Sequence, residues 1–491
     1  MKIHTQRLSN LLAKKEAFPY QAQAVMAIRD LPYSAIFHEQ GLGKTKIAVD
    51  LMLYWLKEKG LDTVLVVTKK QLVANWVGEL SEHTFLHPRV LGPDKQKNFF
   101  VLNSLARVVV ANFETLSTDK KRIELFLRSR DVGIIVDEST KLKNPESRLA
   151  RDFFDLAPLF KVRTIMTGTP VANRPYDIWA QVYFLDMGKS LGTDFAAFKQ
   201  ATDLRNEFAQ DSVGSNAFEQ AVAGIYDRIR EFSVRETKKT AGIVLPDKVY
   251  KTISADMAPI QKAMYNRIIR DLEVEVVRAG ASVVDDEHEA LKRLLRLIQV
   301  ASCPRLLDES YTETPCKEVL LDQLLSDIVA AGDKCIVWSS FIENVDYFTR
   351  KFSSYSPKKI HGRLPIEVRN RAVSAFKNDE ACKILFATPQ AAKEGLTLTV
   401  ANHVVFYDRG FNLDDYLQAQ DRIHRISQKK ICHVYNLMAN NSIDFWVDAL
   451  LEAKQQAAFL AQGDISQEQY QQVADYSFGD LIRQILSGET V

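Results

Sequence analysis

Long apolar runs, closely spaced cysteines and a surplus of either charge are all missing from this 491-residue chain, and each absence narrows what it can be. No run of about 18 apolar residues occurs, so no helix is expected to cross a bilayer and no membrane partner is expected. The N-terminus, MKIHTQRLSNLLAKKEAF, is charged throughout and has no apolar signal core, so nothing in it directs export. Five cysteines, Cys303, Cys316, Cys335, Cys382 and Cys432, lie far apart without metal-ligand spacing. They read as reduced thiols of a cytoplasmic protein with no zinc site. The net charge of +2 neither requires nor excludes nucleic acid, because a basic groove can be offset by acidic surface elsewhere. Repeats and long low-complexity tracts are absent too.

What is present is enough apolar content, 46%, to bury large cores, and the length implies two to four domains. From Ile36 to about Asp186, short β-branched runs alternate with helical patterns. Ser34 to Phe37, Thr63 to Thr68, Arg107 to Ala111, Val132 to Val136 and Arg163 to Thr167 read as strands of a parallel α/β sheet. A second series begins at KCIVWSS near Lys334 and continues through Lys383 to Thr388, His403 to Tyr407 and Ile431 to Asn436. Between them, roughly Gly188 to Thr314 shows almost no strand pattern. It carries helical apolar spacing such as Leu291, Leu294, Leu295 and Ile298, with a solvated loop expected around Asp285 to Glu289. The final forty or so residues look helical, with Leu481, Ile482, Ile485 and Leu486 on one face. The expected division is therefore an N-terminal lobe over 1–187, a helical insertion over 188–314, a second lobe over 315–452 and a helical tail over 453–491.

The string IFHEQGLGKTKIAVD, Ile36 to Asp50, carries the most chemistry. A strand followed by a Gly-rich turn and a helix from Lys44 to Leu56 points backbone N–H groups and a helix N-terminus at phosphate oxygens. Lys44 reaches the β- and γ-phosphates, and Thr45 ligates magnesium. The strict pattern fails at its first position, where His38 replaces glycine. Strand Val132 to Val136 leads at once into Asp137 and Glu138, two carboxylates at the sheet edge where ligands of such sheets bind. Alone they could be a solvated turn; beside a phosphate loop, Asp137 suits the magnesium shell and Glu138 suits polarising a water. Thr167-Gly168-Thr169-Pro170 closes the next strand and would by itself read as an ordinary turn. In QAQDRIHRISQ, Gln418 to Gln428, Arg422 and Arg425 are spaced one helical turn apart on one face. They are either a pair of surface arginines or the charge a phosphoryl-transfer site needs.

The ordered series resembles superfamily 2 helicases and, within them, the Swi/Snf-type DNA-translocating ATPases, across nearly the whole chain. Pro19-Tyr20-Gln21 looks like the adenine-reading glutamine motif. GLGKT and DEST look like motifs I and II, and VVTKKQLVANW, ANFETL and TGTPVANRPYDIW look like motifs Ia, Ib and III. FSVRETK at Phe232 to Lys238 and Leu245-Pro246-Asp247-Lys248 are similar to signatures of this family rather than of helicases generally. ASCPRLL at Ala301 to Leu307, IHGRLPIEVRNRAVSAF, AAKEGLTLTVANHVVFYDRGFN and QAQDRIHRISQ complete the order. The chain departs from the pattern at Thr140, where motif II usually has histidine, and at His38, where relatives carry an acid. Ala391-Ala392-Lys393-Glu394-Gly395 stands where many relatives have consecutive glycines, closer to the fork-remodelling, strand-annealing branch. His424 reads as packing and hydrogen bonding rather than as a base.

The resemblance implies two tandem RecA-like lobes with a helical insertion, ATP and magnesium as cofactors, and movement along double-stranded DNA, branched or forked DNA included, by a monomer. It implies that Gln21, Gln40, Gly41, Leu42, Gly43, Lys44, Thr45 and Gly395 bind ATP, with Thr45 and Asp137 holding magnesium. Lys44, Asp137, Glu138, Arg422 and Arg425 would be catalytic. Lys69, Lys70, Asn75, Thr115, Lys141, Lys143, Ser340 and Thr388 would contact DNA phosphates. Thr167, Thr169, Glu394 and Gln418 would couple hydrolysis to motion. Two other readings stay open: a strand-separating helicase on single-stranded DNA or RNA, and an inactive nucleotide-gated DNA-binding scaffold. The compact build suggests a bacterial or phage source, with the protein at the nucleoid.

Overall fold

The strand rhythm resolves into two sheets, each wholly parallel, in a computed structural model that describes residues 10–204, 212–243, 245–279, 287–392, 396–425 and 427–473. The first sheet holds β1 (Tyr33–Ile36), β2 (Thr63–Thr68), β3 (Arg89–Val90), β4 (Val108–Asn112), β5 (Val132–Asp137), β6 (Val162–Met166) and β7 (Ser233–Val234), in the order β3-β4-β2-β5-β6-β1-β7. The second holds β8 (Lys248–Ala255), β9 (Cys335–Trp338), β10 (Lys358–Ile360), β11 (Ile384–Ala387), β12 (His403–Phe406) and β13 (Cys432–Ala439), in the order β10-β11-β9-β12-β13-β8.

Continuous apolar runs such as TVLVVT form these central strands because helices cover both faces of a parallel sheet. Side chains alternate between faces, so one strand feeds two cores. Leu65 and Val67 of β2 lie in one cluster and Val64 and Val66 in another; in the second sheet, Val404 and Phe406 part from Val405 and Tyr407 in the same way. All five cysteines are buried thiols. No helix among the described residues is long and apolar enough to cross a membrane.

The chain divides at Val244 into two compact units, and this corrects the expected segments. The helical middle is not a body of its own. Phe195–Thr202 and Ser212–Ile229 belong with the first sheet, whereas Pro259–Ala279 and Glu287–Ser302 belong with the second. Helix Ile443–Gln462 runs through the expected boundary at 452, and residues 457–472 belong with the first unit.

The middle also carries strands. β8 was invisible to pattern reading because it is an edge strand, KVYKTISA, paired on one side only, from Lys248 beside Cys432 to Ala255 beside Ala439. A half-exposed edge needs no apolar run. Helix Glu287–Ser302 begins inside the expected loop, and it buries Leu297, Ile298 and Ala301 while Leu295 is exposed. The side chain of Leu291 and the expected face of Leu481, Ile482, Ile485 and Leu486 lie outside the described residues.

Candidate active site

In the first unit, β1 leads through residues 37–43 into helix Lys44–Lys57. The turn needs glycine twice over at Gly43, whose φ is +68° and where a Cβ would sit 2.4 Å from the Gln21 Nε2. Gln21 is buried; its Nε2 donates to the Leu42 carbonyl at 3.1 Å and its Oε1 accepts from the Phe18 N–H at 3.0 Å. The Tyr20 hydroxyl donates to the same Leu42 carbonyl at 3.2 Å. The sequence motif at residues 19–21 thus grips the glycine-rich turn directly. Lys44 Nζ donates to the His38 and Glu39 carbonyls at 2.9 and 3.3 Å, folding its ammonium under the loop.

His38, the departure at the head of the loop, is buried, and burial pushes its imidazole down to about 4, so the ring is neutral near pH 7. Glu39 pairs with Lys238 at 3.0 Å, and Arg235 donates to the Phe37 carbonyl at 2.8 Å and to Asp464 at 2.6 Å. The FSVRETK signature therefore braces the loop from behind through Arg235 and Lys238, two residues that motif reading did not assign to the site.

Asp137 ends β5 and is buried. Thr68 Oγ1 and Trp76 Nε1 both donate to its Oδ2, at 3.0 and 2.8 Å, which leaves Oδ1 to a cation. Burial, with the neighbouring Glu138 charge, raises its carboxyl to about 6, and the Lys44 charge works the other way. Glu138 sits in the left-handed region at φ 55°, a strained backbone for a non-glycine residue, and pairs with Lys69 at 3.2 Å. Ser139 donates to Gln181 Oε1 at 2.7 Å, and Gln181 Nε2 donates to the Pro170 carbonyl at 2.8 Å. Gln181, unmarked in the sequence, thereby links motif II to motif III. Thr167 is buried, its hydroxyl accepting from the Thr169 N–H at 3.2 Å. Gly168 comes so close to the loop that a Cβ there would lie 2.6 Å from Gln40 Cγ and 3.1 Å from Lys44 Nζ.

Magnesium suits this donor set. One buried carboxylate with an open oxygen, plus Thr45 at the head of the helix, leaves the remaining positions to phosphate and water, as that ion prefers. No cluster of three His, Cys, Asp or Glu residues that could hold a metal occurs among the described residues.

The sequence-predicted DNA contacts divide. Lys70, Asn75, Lys141 and Ser340 are exposed and Lys69 and Lys143 half-exposed. Thr115 and Thr388 are buried, which corrects their assignment as surface contacts. Thr115 lies inside helix Phe113–Thr118, its N–H capped by Asn112 at 2.8 Å, and the Thr388 N–H is spent on the Ile360 carbonyl at 3.0 Å.

In the second unit, helix Leu413–Gln420 stops before the arginines, so Arg422 and Arg425 do not share a helical face as expected. They occupy the turn that follows, where the Ile423 N–H reaches back only to the Gln420 carbonyl. Neither is a surface arginine. Arg422 is buried, with its guanidinium 3.5 Å from both the Leu396 carbonyl and Gln418 Oε1; Arg425 donates to Thr397 at 2.7 Å. The Leu-Pro-x-Lys signature holds this turn: Lys248 pairs with Asp421 at 2.8 Å, and His424 Nε2 meets the Pro246 carbonyl at 2.8 Å. Gln418 is buried and bonded to Asp414 at 2.8 Å. Glu394 and Gly395 lie outside the described residues.

Two family matches cover most of the sequence: the SNF2-related domain over residues 25–306 and the helicase conserved C-terminal domain over 316–427. Curated relatives include the ISWI chromatin-remodeling complex ATPase ISW1 of Saccharomyces cerevisiae, 26% identical over 87% of this chain and 39% of its own length. The ATP-dependent DNA helicase DDM1 of Arabidopsis thaliana is 25% identical over 92% and 62%, and the putative ATP-dependent helicase/translocase YwqA of Bacillus subtilis 27% over 89% and 48%. This chain thus spans less than two thirds of the length of each of them. A solved Sulfolobus solfataricus SWI2/SNF2 ATPase core in complex with dsDNA covers 96% of this chain and 99% of that one at 23% identity, with a TM-score of 0.42.

Proposed function

Because the chain belongs to the SNF2-related family, we propose that it is an ATP-driven translocase on duplex DNA. The observation that carries this reading is the gathering, within the first unit, of a glycine-dependent turn bearing Lys44 with Asp137, Glu138 and Gly168. Lys44 and the loop N–H groups take the β- and γ-phosphates; Thr45 and Asp137 would hold magnesium, which would supply neutralising charge to the phosphoryl group. Water attacks the γ-phosphorus, the bond to the β–γ bridging oxygen breaks, and Glu138 accepts the water's proton. Arg422 and Arg425 add positive charge to the transferred group during turnover. The relatives, a chromatin-remodeling complex ATPase, an ATP-dependent DNA helicase and a putative ATP-dependent helicase/translocase, support DNA as the partner.

The test compares ATP hydrolysis with duplex DNA, single-stranded DNA and RNA. Duplex should raise turnover many-fold and single strands less, and added salt should weaken duplex binding steeply and with little regard to sequence. Displacement of a triplex strand without unwinding of a fork would mark translocation. Equal stimulation by RNA or by single strands, together with fork unwinding, would instead identify a strand-separating helicase.

A further inference from the structure

β2 and β5 run parallel with Val67 opposite Val136, so the residues that follow meet in pairs at the sheet edge. Thr68 donates to Asp137, and Lys69 Nζ lies 3.2 Å from Glu138 Oε2. The first contact fixes a carboxylate that has other work to do. The second occupies one oxygen of the carboxylate that must accept a proton from water. Lys141 stands 4.0 Å from Glu114 and Lys143 3.4 Å from Asp177, so three of the four lysines assigned to DNA have carboxylate neighbours. Among those three, Lys69 alone has a partner placed in the chemistry.

We propose that the Lys69–Glu138 ion pair is a brake on ATP hydrolysis that DNA phosphate releases by taking Lys69 for itself. The inference rests on the reading of Glu138 as the water-activating group and of Lys69 as a phosphate contact. An ammonium ion held against Glu138 occupies one oxygen of that carboxylate and blocks the approach of water to it. Side chains that are 20% and 21% exposed form a weak pair, a bias of no more than about fivefold. That weakness is what lets a phosphodiester compete. When Lys69 turns to the phosphate, Glu138 is freed, and occupancy of DNA is reported to the chemistry through one side chain. Lys69 is thus a positioning residue for the reaction as well as a binding one.

Lys69→Met keeps the stem and removes the charge. Without DNA, it should hydrolyse ATP about two- to fivefold faster than the parent, as expected from release of so weak a pair. Its ratio of DNA-stimulated to basal turnover should fall by the same factor, the DNA concentration for half-stimulation should rise, and the salt slope of binding should lessen by about one unit. Lys69→Arg, which keeps a cation within reach, should restore most of the stimulation ratio. Lys69→Met combined with Glu138→Gln should be as inactive as Glu138→Gln alone, showing that the raised rate passes through Glu138. Melting curves of all variants exclude unfolding. A basal rate in Lys69→Met that is unchanged or lower overturns the brake. The basal comparison needs no DNA: a parent enzyme that DNA fails to stimulate would refute the translocase reading and the release step, while the basal rate of Lys69→Met would still decide whether the ion pair is a brake.

Discussion

In the first sheet the order β3-β4-β2-β5-β6-β1 precedes an added edge strand, and in the second the order is β10-β11-β9-β12-β13-β8, so β1 corresponds to β8, β2 to β9 and β5 to β12. Their loops differ. β1 runs into a turn with two positive-φ glycines, whereas β8 runs through Asp256, Met257 and Ala258 into helix Pro259–Ala279 with no glycine at all. β5 ends on carboxylates that keep oxygens available. Beyond β12, Asp408 is 1% exposed and spends itself on Ser302 Oγ at 2.9 Å, Ser339 Oγ at 2.6 Å, the Ser340 N–H at 2.6 Å and Asn344 Nδ2 at 3.3 Å. One topology therefore carries both an open site and a sealed structural network, and loop chemistry decides which.

The largest expected effect tests whether the second unit is more than a scaffold. Arg422→Ala or Arg425→Ala should cut DNA-stimulated hydrolysis by about 10³-fold or more while ATP affinity stays within a few-fold. Lysine should rescue poorly, lacking the planar fork. Because both arginines brace the turn, a melting curve must accompany each assay; near-normal turnover in a folded variant would leave all the chemistry to the first unit.

Glu138 and Asp408 should part company in opposite directions. Glu138→Gln should bind ATP yet lose about 10²- to 10⁴-fold in turnover, and Glu138→Gly should match or exceed the parent in stability by about 1 kcal/mol through relief of the left-handed backbone. Asp408→Ala, by stranding buried donors, should lower stability by about 3 kcal/mol. Denaturant titration of the three variants checks this, and a reversed ranking would break the comparison.

Two glycines sharpen it further. Gly168→Ala should weaken ATP binding by about tenfold, because its methyl would collide with Gln40 and press on Lys44. Gly410→Ala, whose Cβ would meet only Ser340 Oγ at 3.8 Å, should leave nucleotide affinity as it is.

The smallest effect is in pH. Asp137 titrates near 6 when folded, against an ordinary value of 3.8, so the folded state binds the extra proton first. Its burial costs stability above pH 6, and that cost is relieved as pH falls from 6 to 4. Asp137→Asn should abolish that portion of the stability profile. Magnesium-dependent nucleotide affinity should fall in the same window, because the cation needs the ionised carboxylate; calorimetry at pH 5 and 7.5 measures both.

Much of this was written plainly in local sequence. β2 occupies Thr63–Thr68, the run read from its β-branched pattern, and Asp137 closes β5, one residue past the run read as Val132 to Val136. Apolar runs, glycine at positive φ and strand-ending acids are properties of neighbouring residues, so they survive without knowledge of the fold. The edge strand β8 was hidden because an exposed edge has no apolar signature. Arg422 and Arg425 had helical spacing, but the helix ends at Gln420. Thr115 and Thr388 had the right chemistry for a surface and were buried by packing that no single segment encodes.

By itself, the sequence determined where the central strands, the phosphate turn and the carboxylates lie, because continuous apolar runs and turn chemistry are local. Only the tertiary structure decided who meets whom: Lys69 with Glu138, Trp76 with Asp137, Gln181 between two motifs, Lys238 behind the loop. Those pairings depend on parallel register and on helices returning across a sheet, which bring together residues dozens to hundreds of positions apart, and no spacing along the chain records that distance.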